Sequence, residues 1–427
     1  MPHLTLIYPA WPKLPEQTEF HLPPHGPVCL AASIPEEYNI CFIDENVDTL
    51  DLEAGTDLVL LSMMLTSQLP RGFEIAARYR EKGIRVIAGG IGAMLHAEEV
   101  AEHVDSLFLG EVEDGRLAKV LDDWEKGCLK PVYDYFLDHP PIESIGTARR
   151  EILNQERYAY RGIRMVDLVH ASRGCRFNCF PCSIAYLGGR KFRPRPIDKV
   201  VREINDINNN RLFLVDNSLA QDRKWVLDLF AALKPLKKKW ISHPILDEED
   251  VIAEAAKAGC WYVYQAVIDT SDVIRNRVRR LHDHGIGVEA AVLLGTDNQD
   301  EDYIKRLVDF LLEINVDMAE FSILSPFPHT PITALFERDN RILHRDWKRY
   351  TTAEVCFRPK HMTPDKLQQM YHYAWKAFFQ DMSQSLRMAR LFQQVIRKEL
   401  ADNTYESLTL SPDRRKRIHA KGEVRGA

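Results

Sequence analysis

Apolar residues come along this chain in two patterns, short continuous runs and stretches where they recur every third or fourth position. In the first third, runs at residues 4–8, 38–44, 58–62, 85–88 and 106–109 predict buried strands. Spacing across 71–82 and 97–103 predicts helices between them. Strands that alternate with helices in this way imply a parallel sheet covered on both faces. A second series follows, with strands predicted at 166–171, 212–215, 240–243, 261–267, 287–294 and 318–324. Helical spacing separates them at 197–208, 223–233, 248–258, 272–284 and 301–312. Such β/α units are compatible with an open sheet or with a barrel.

The remaining segments divide the chain. Residues 131–163 contain the adjacent prolines Pro140 and Pro141, show little periodicity, and read as a linker. Beyond residue 340, amphipathic spacing at 365–380 and 383–400 predicts a helical cap, with Met370, Tyr371, Trp375, Phe378 and Phe379 as core candidates. Residues 401–427, with a basic patch from Arg414 to Arg417, read as a flexible, solvated tail. The expected class is α/β: a domain over 1–130, the linker, a second domain over 164–340, and a helical region over 341–400.

Composition narrows the partners. A chain of 427 residues has room for two or three domains. A formal net charge of −6 supplies no basic field, so nucleic acid is not an expected partner. No apolar run reaches the roughly 18 residues that a membrane span needs. The opening Met1, Pro2, His3, Leu4 lacks the basic start and apolar core of a secretory leader. Eight cysteines, three of them in one loop, fit a reducing compartment better than a disulfide framework. Cys29, Cys41, Cys128, Cys260 and Cys356 are scattered and are expected as buried thiols rather than ligands.

Cys175, Cys179 and Cys182 carry the chemistry. Their CxxxCxxC spacing puts three thiolates on one short loop, enough for three irons of a [4Fe-4S] cube, and leaves the fourth iron open. A zinc site would want a fourth Cys or His at ligand spacing, which this loop lacks. The spacing, with Gly174 and Phe177 beside it, resembles the radical S-adenosylmethionine (SAM) superfamily. The resemblance implies that the open iron chelates the amino and carboxylate groups of SAM, which is cleaved to a 5'-deoxyadenosyl radical. It also implies a partial (β/α)6 TIM-like barrel for the second series, with working residues at the carboxyl ends of its strands.

The first domain resembles the Rossmann-like cobalamin (B12)-binding-type domain that precedes many radical SAM barrels. The matching pieces are Pro23, Pro24 and Gly26, then Asp44 and Asn46, Ser62 and Thr66, Gly89, Gly90 and Gly92, and Gly110, Glu111 and Glu113. Parallel sheets bind ligands beyond the carboxyl ends of their strands, so Ser62, Gly89, Gly90 and Glu111 become candidate cofactor residues. The DxHxxG motif that gives cobalamin a lower axial histidine is absent, and His96 and His103 are expected to face solvent. In the barrel, the resemblance points to Asp216 and Asn217 near the SAM amino group. It points to Ser242 and His243 across the SAM cavity, and to Gln265 or Asp269 near a ribose hydroxyl. Arg193 and Arg195 are candidate forks for a carboxylate or phosphate, and His329 is expected to pack. The fourth strand departs from the family: its Glu-Ser ending is missing and the run before the next helix is cut short.

The expected function is a radical SAM methyltransferase, cobalamin-dependent, acting on an unactivated carbon of a small, apolar substrate in the cytoplasm. Its cofactors would be a [4Fe-4S] cluster, SAM and cobalamin, with a flavodoxin- or ferredoxin-type electron donor. Radical cyclisation, oxidation or carbon–carbon coupling without cobalamin stays open on the same residues. So does a non-catalytic cluster- or tetrapyrrole-binding protein.

Overall fold

The computed structural model describes residues 1–14, 21–160, 163–380 and 383–405; the basic patch from Arg414 to Arg417 lies outside them. The first domain is a sheet of six parallel strands: β1 (His3–Tyr8), β2 (Asn39–Asp44), β3 (Leu58–Ser62), β4 (Arg85–Gly89), β5 (Ser106–Leu109) and β6 (Val132–Asp134). Their order is β2-β1-β3-β4-β5-β6, a doubly wound arrangement. The central strands are apolar on both sides because both faces are covered. Leu4, Leu6 and Leu60 join one buried cluster, while Ile7, Val59 and Leu61 join another across the sheet. Strand β6 lies in the segment expected to be linker, where Val132–Asp134 pairs alongside residues 107–109 and extends the sheet by one edge.

The second sheet also has six strands: β7 (Asp167–Val169), β8 (Arg211–Leu214), β9 (Lys239–Ser242), β10 (Cys260–Val267), β11 (Gly287–Leu294) and β12 (Met318–Ile323). They pair in chain order, all parallel, with helices between them. Among the described residues, the first and last strands do not pair with each other, so the barrel stays open. Alternation sorts the side chains. Val263, Val267 and Val292 pack outward in the main core, whereas Phe213, Ile241, Tyr262 and Tyr264 form an inward cluster.

The two C-terminal helices do not form one cap. Helix Pro364–Phe378 buttresses the side of the barrel, burying Leu367, Met370, Tyr371 and Phe378 in the main core. Helix Ser383–Ala401 crosses the amino ends of the strands. There its buried Glu399 accepts from Arg211 at 2.7 Å and from Asn210 at 3.0 Å, and Lys239 meets Asp402 at 2.7 Å. Met388 and Leu391 pack with Phe213, Ile241 and Tyr262 and fill the base of the lumen. Leu391 sits so close that a Cβ on Gly287 would lie 2.5 Å from it. No helix among the described residues is long and apolar enough to cross a membrane.

Candidate functional site

The three cysteines hang from the carboxyl end of β7. Ser172–Arg173 pairs antiparallel with Arg193–Pro194, and this two-rung ladder closes the base of the loop. Gly174 turns the chain there with φ of +73°, and a Cβ would stand 2.1 Å from the Lys191 carbonyl oxygen, so only glycine fits. Cys175 is half-buried; Cys179 and Cys182 are exposed. Burial and the charges of both other cysteines push the Cys182 thiol upward. Fully buried Gln221 clamps the loop: its Oε1 accepts from the Arg176 N–H at 3.0 Å and its Nε2 donates to Cys175 Sγ at 3.1 Å. Three cysteines on one loop, one sulfur already accepting an N–H bond, suit an iron–sulfur cube and the tuning of its charge.

Asp216, just past the end of β8, anchors the same loop. Its carboxylate accepts from the Ala171 N–H at 3.0 Å and from the Ser172 hydroxyl. Burial pushes this carboxyl up to about 6, against the pull of those bonds. The backbone oxygen of Asp216 meets His243 Nδ1 at 2.7 Å. The half-buried His243 ring lies 5.2 Å from Phe213 and 5.6 Å from Tyr264, on the lumen side. Asn217 is exposed. Ser242 is buried and donates to the His243 carbonyl; alternation puts it on the outward face with Trp240. Gln265 likewise shares the outward face of Val263 and Val267, and Asp269 accepts from the Ser271 N–H in a local turn. The short passage from β10 to helix Asp272–Asp283 is as cut back as the sequence implies.

The lumen holds groups that the motifs did not flag. Glu289 accepts from Tyr262 at 3.2 Å and also bonds Tyr264. Burial, reinforced by the charge of Glu320 from β12, pushes Glu289 up to about 7. Partial desolvation inside the lumen raises Glu320 as well, although its side chain still reaches solvent. An acidic pair among aromatic rings is an unusual lining, and it lies on two strands whose sequences read only as apolar alternation.

Between the domains runs a network of carboxylates and guanidiniums. Glu111 and Glu113 follow β5 of the first sheet, and both meet Arg173 of the cluster loop, at 2.9 and 2.6 Å. Glu111 also binds Arg193 and has His139 at 3.5 Å. The guanidiniums hold the Glu111 carboxyl below its usual range despite burial. Deeper in, Glu203 takes Arg150 and Arg195 at 2.7 Å each. Arg193 and Arg195 therefore do meet carboxylates, and these belong to the chain itself. Glu111, a candidate for the cofactor, has its oxygens committed to the same network.

The carboxyl edge of the first sheet is largely occupied by its own backbone. Ser62 is buried and pairs with Gly89. Gly90 has φ of +103°, and a Cβ there would lie 2.5 Å from the Met63 carbonyl oxygen; one on Gly92 would lie 2.9 Å from that of Leu65. A Cβ on Gly89 would have the Phe108 carbonyl oxygen at 3.3 Å. These glycines serve close backbone packing. His96, expected in solvent, is buried: its Nε2 bonds the Thr66 hydroxyl at 3.1 Å and its ring abuts Trp347 at 4.4 Å. His103 stacks on Phe73 at 3.9 Å. With His96 engaged in this way, a corrinoid at this edge would have to do without that imidazole as its lower ligand. His329 stacks on Tyr186 of the cluster loop at 4.4 Å, which is a packing role. Of the scattered cysteines, Cys260 and Cys356 are buried as expected, but Cys128 is exposed.

No protein-family model matches the sequence. The chain is 24% identical over 365 residues to bacteriochlorophyllide d C-12(1)-methyltransferase of Chlorobaculum tepidum, covering 80% of this chain and 79% of that protein. It is 23% identical over 367 residues to the C-8(2)-methyltransferase of the same organism, covering 78% and 80%. Among solved structures, it is similar to the radical S-adenosylmethionine methyltransferase TsrM of Kitasatospora setae with cobalamin and a [4Fe-4S] cluster bound. That match has a TM-score of 0.61 at 16% identity and covers 79% of this chain and 75% of that one.

Proposed function

We propose that this chain, which has the fold of the radical SAM branch with a cobalamin-binding-type first domain, is a radical SAM C-methyltransferase. One observation carries the reading. The three-cysteine loop stands at the carboxyl mouth of a six-strand partial barrel and is tied by Arg173 to Glu111 and Glu113 of a doubly wound first domain. Cys175, Cys179 and Cys182 would hold the cluster, Gln221 would steady the charge on Cys175, and Asp216 positions the loop by holding Ala171 and Ser172. Exposed Asn217 and lumen-facing His243 are the residues we assign to SAM. When bound, the cluster and SAM supply a 5'-deoxyadenosyl radical and a methylated corrinoid supplies the methyl group. The chain contributes the lumen, where half-buried Tyr264, backed by buried Phe213 and Tyr262, offers an apolar face to a ring-containing small molecule of the kind the named relatives act on. Exposed Phe177 and Phe180, next to exposed Cys179, give a flavodoxin- or ferredoxin-type donor a place to approach. An oxygen-sensitive cluster and free thiols favour the cytoplasm.

A second reading, radical chemistry without cobalamin, is favoured by the backbone packing that occupies the Gly89–Gly92 turn. One reconstitution separates the two. Anaerobic protein is assayed for iron, bound corrinoid, reductive formation of 5'-deoxyadenosine, and methyl transfer to a tetrapyrrole acceptor. Stoichiometric corrinoid with methylated product supports the first reading. Cleavage of SAM with no corrinoid uptake supports the second, and a cluster that never cleaves SAM removes both.

A further inference from the structure

One group of metal-binding side chains lies apart from the cluster cysteines, where helix His25–Ala31 of the first domain meets the end of β7. His25 and Cys29 are four residues apart on that helix and share a face. His170 follows β7, five residues ahead of Cys175 in the sequence. His25 Nε2 lies 2.7 Å from His170 Nδ1 and 3.3 Å from Cys29 Sγ. All three donor atoms fall within 4.8 Å of one another.

Two neutral imidazoles share a single hydrogen bond, and one hydrogen and one lone pair must remain on the far nitrogens. Those atoms, His25 Nδ1 and His170 Nε2, are buried and have no partner. An ion on the near nitrogens would leave both far nitrogens carrying hydrogen, so it is the convergence of the near donors, not the unpartnered far atoms, that points to a metal. Three converging lone pairs are what a borderline cation requires. Two imidazoles and one thiolate select a zinc-class ion and offer no oxygens to magnesium or calcium. The surrounding charge does not forbid it. Arg150, Arg173 and Arg195 are close, but each is paired, with Glu203, Glu113 or Glu111.

We propose that His25, Cys29 and His170 form a second metal site that takes one zinc-class divalent cation and fastens the first domain to the strand leading into the cluster loop. Binding exchanges the Cys29 thiol proton for the metal: the S–H bond breaks, the S–metal bond forms, and one proton leaves to solvent. A fourth position is left for water. The site does not depend on the methyl-transfer reading.

The test uses the full chain with Cys175→Ala, Cys179→Ala and Cys182→Ala, so that no cluster thiolate competes. Cobalt(II) should bind at about one equivalent, with a thiolate-to-cobalt charge-transfer band and the visible absorption of a four-coordinate ion. Zinc should displace it and raise Tm. Adding Cys29→Ser should remove the band, and His25→Gln should weaken cobalt binding by at least about tenfold, the loss typical of a disturbed metal shell. An unchanged band in the Cys29→Ser protein, or no band at all before that change, would overturn the proposal. If the triple variant does not fold, metal analysis of the anaerobic wild type decides. About one zinc beside about four irons per chain is expected, and Cys29→Ser should lower zinc while leaving iron in place. Zinc absent from the wild type, or equally present in Cys29→Ser, would overturn it.

Discussion

The two parallel sheets treat their carboxyl edges in opposite ways. In the first domain the edge is packed: Gly90 and Gly92 lie against the backbone of Met63 and Leu65, and His96 is buried against Trp347. Gln68, fully buried, bridges Pro9, Met64 and Leu65 across the same edge. In the barrel the edge and lumen keep reactive groups accessible: exposed cysteines, exposed Asn217, half-buried His243 and the Glu289–Glu320 pair. The same α/β alternation thus yields one domain that mainly grips and one that mainly reacts. The grip is specific, since Glu111 and Glu113 hold the arginine two residues ahead of the first cluster cysteine.

The contrast can be broken most severely at the reactive edge. Cys179→Ala should abolish the cubane absorbance and drop 5'-deoxyadenosine formation to background; a variant that keeps both refutes the ligand assignment. The gripping edge should fail next. Arg173→Ala leaves buried Glu113 without its ion-pair partner and half-buried Glu111 with Arg193 alone, and should cost about 3–5 kcal/mol in urea unfolding, with loss of cluster occupancy. A change under about 1 kcal/mol, the range of surface pairs, would mean that the network does not join the domains.

Gly90→Ala probes the packed edge alone. A methyl at φ of +103° facing the Met63 carbonyl should cost about 2–4 kcal/mol, and iron content in the variant that still folds should be normal. Tolerance without cost would mean that the edge has room to spare. The mildest test is of the lumen. Glu289 ionises at about 7 in the fold, against its ordinary 4.5. The folded state therefore holds the extra proton, and its contribution is complete below about pH 4.5 and lost as pH rises to 7 and beyond. Wild type should lose up to about 2–3 kcal/mol more than Glu289→Gln between pH 5 and pH 8. Parallel unfolding curves for the two proteins would place that carboxyl in solvent, away from Tyr262, Tyr264 and Glu320.

Much of this was legible in the chain. Runs such as Leu58–Ser62 and Gly287–Leu294 are bounded and apolar enough to mark strands to the residue. What escaped depends on contacts remote in sequence. Strand β6 is three residues long and draws its pairing from β5, so no local period announces it. The outward turn of Ser242 and Gln265 depends on strand register, which shifts between Trp240 and Ile241 where β9 meets β10. Gln221 is a lone amide in a loop, and only the folded chain brings it to Cys175. His96 looked solvent-facing because its cover, Trp347, arrives from beyond the barrel.

Helix Ser383–Ala401 has one further effect. Among the described residues, Met388 and Leu391 close the amino end of the barrel, so a ligand reaches Tyr264 and Glu289 from some other side than that end.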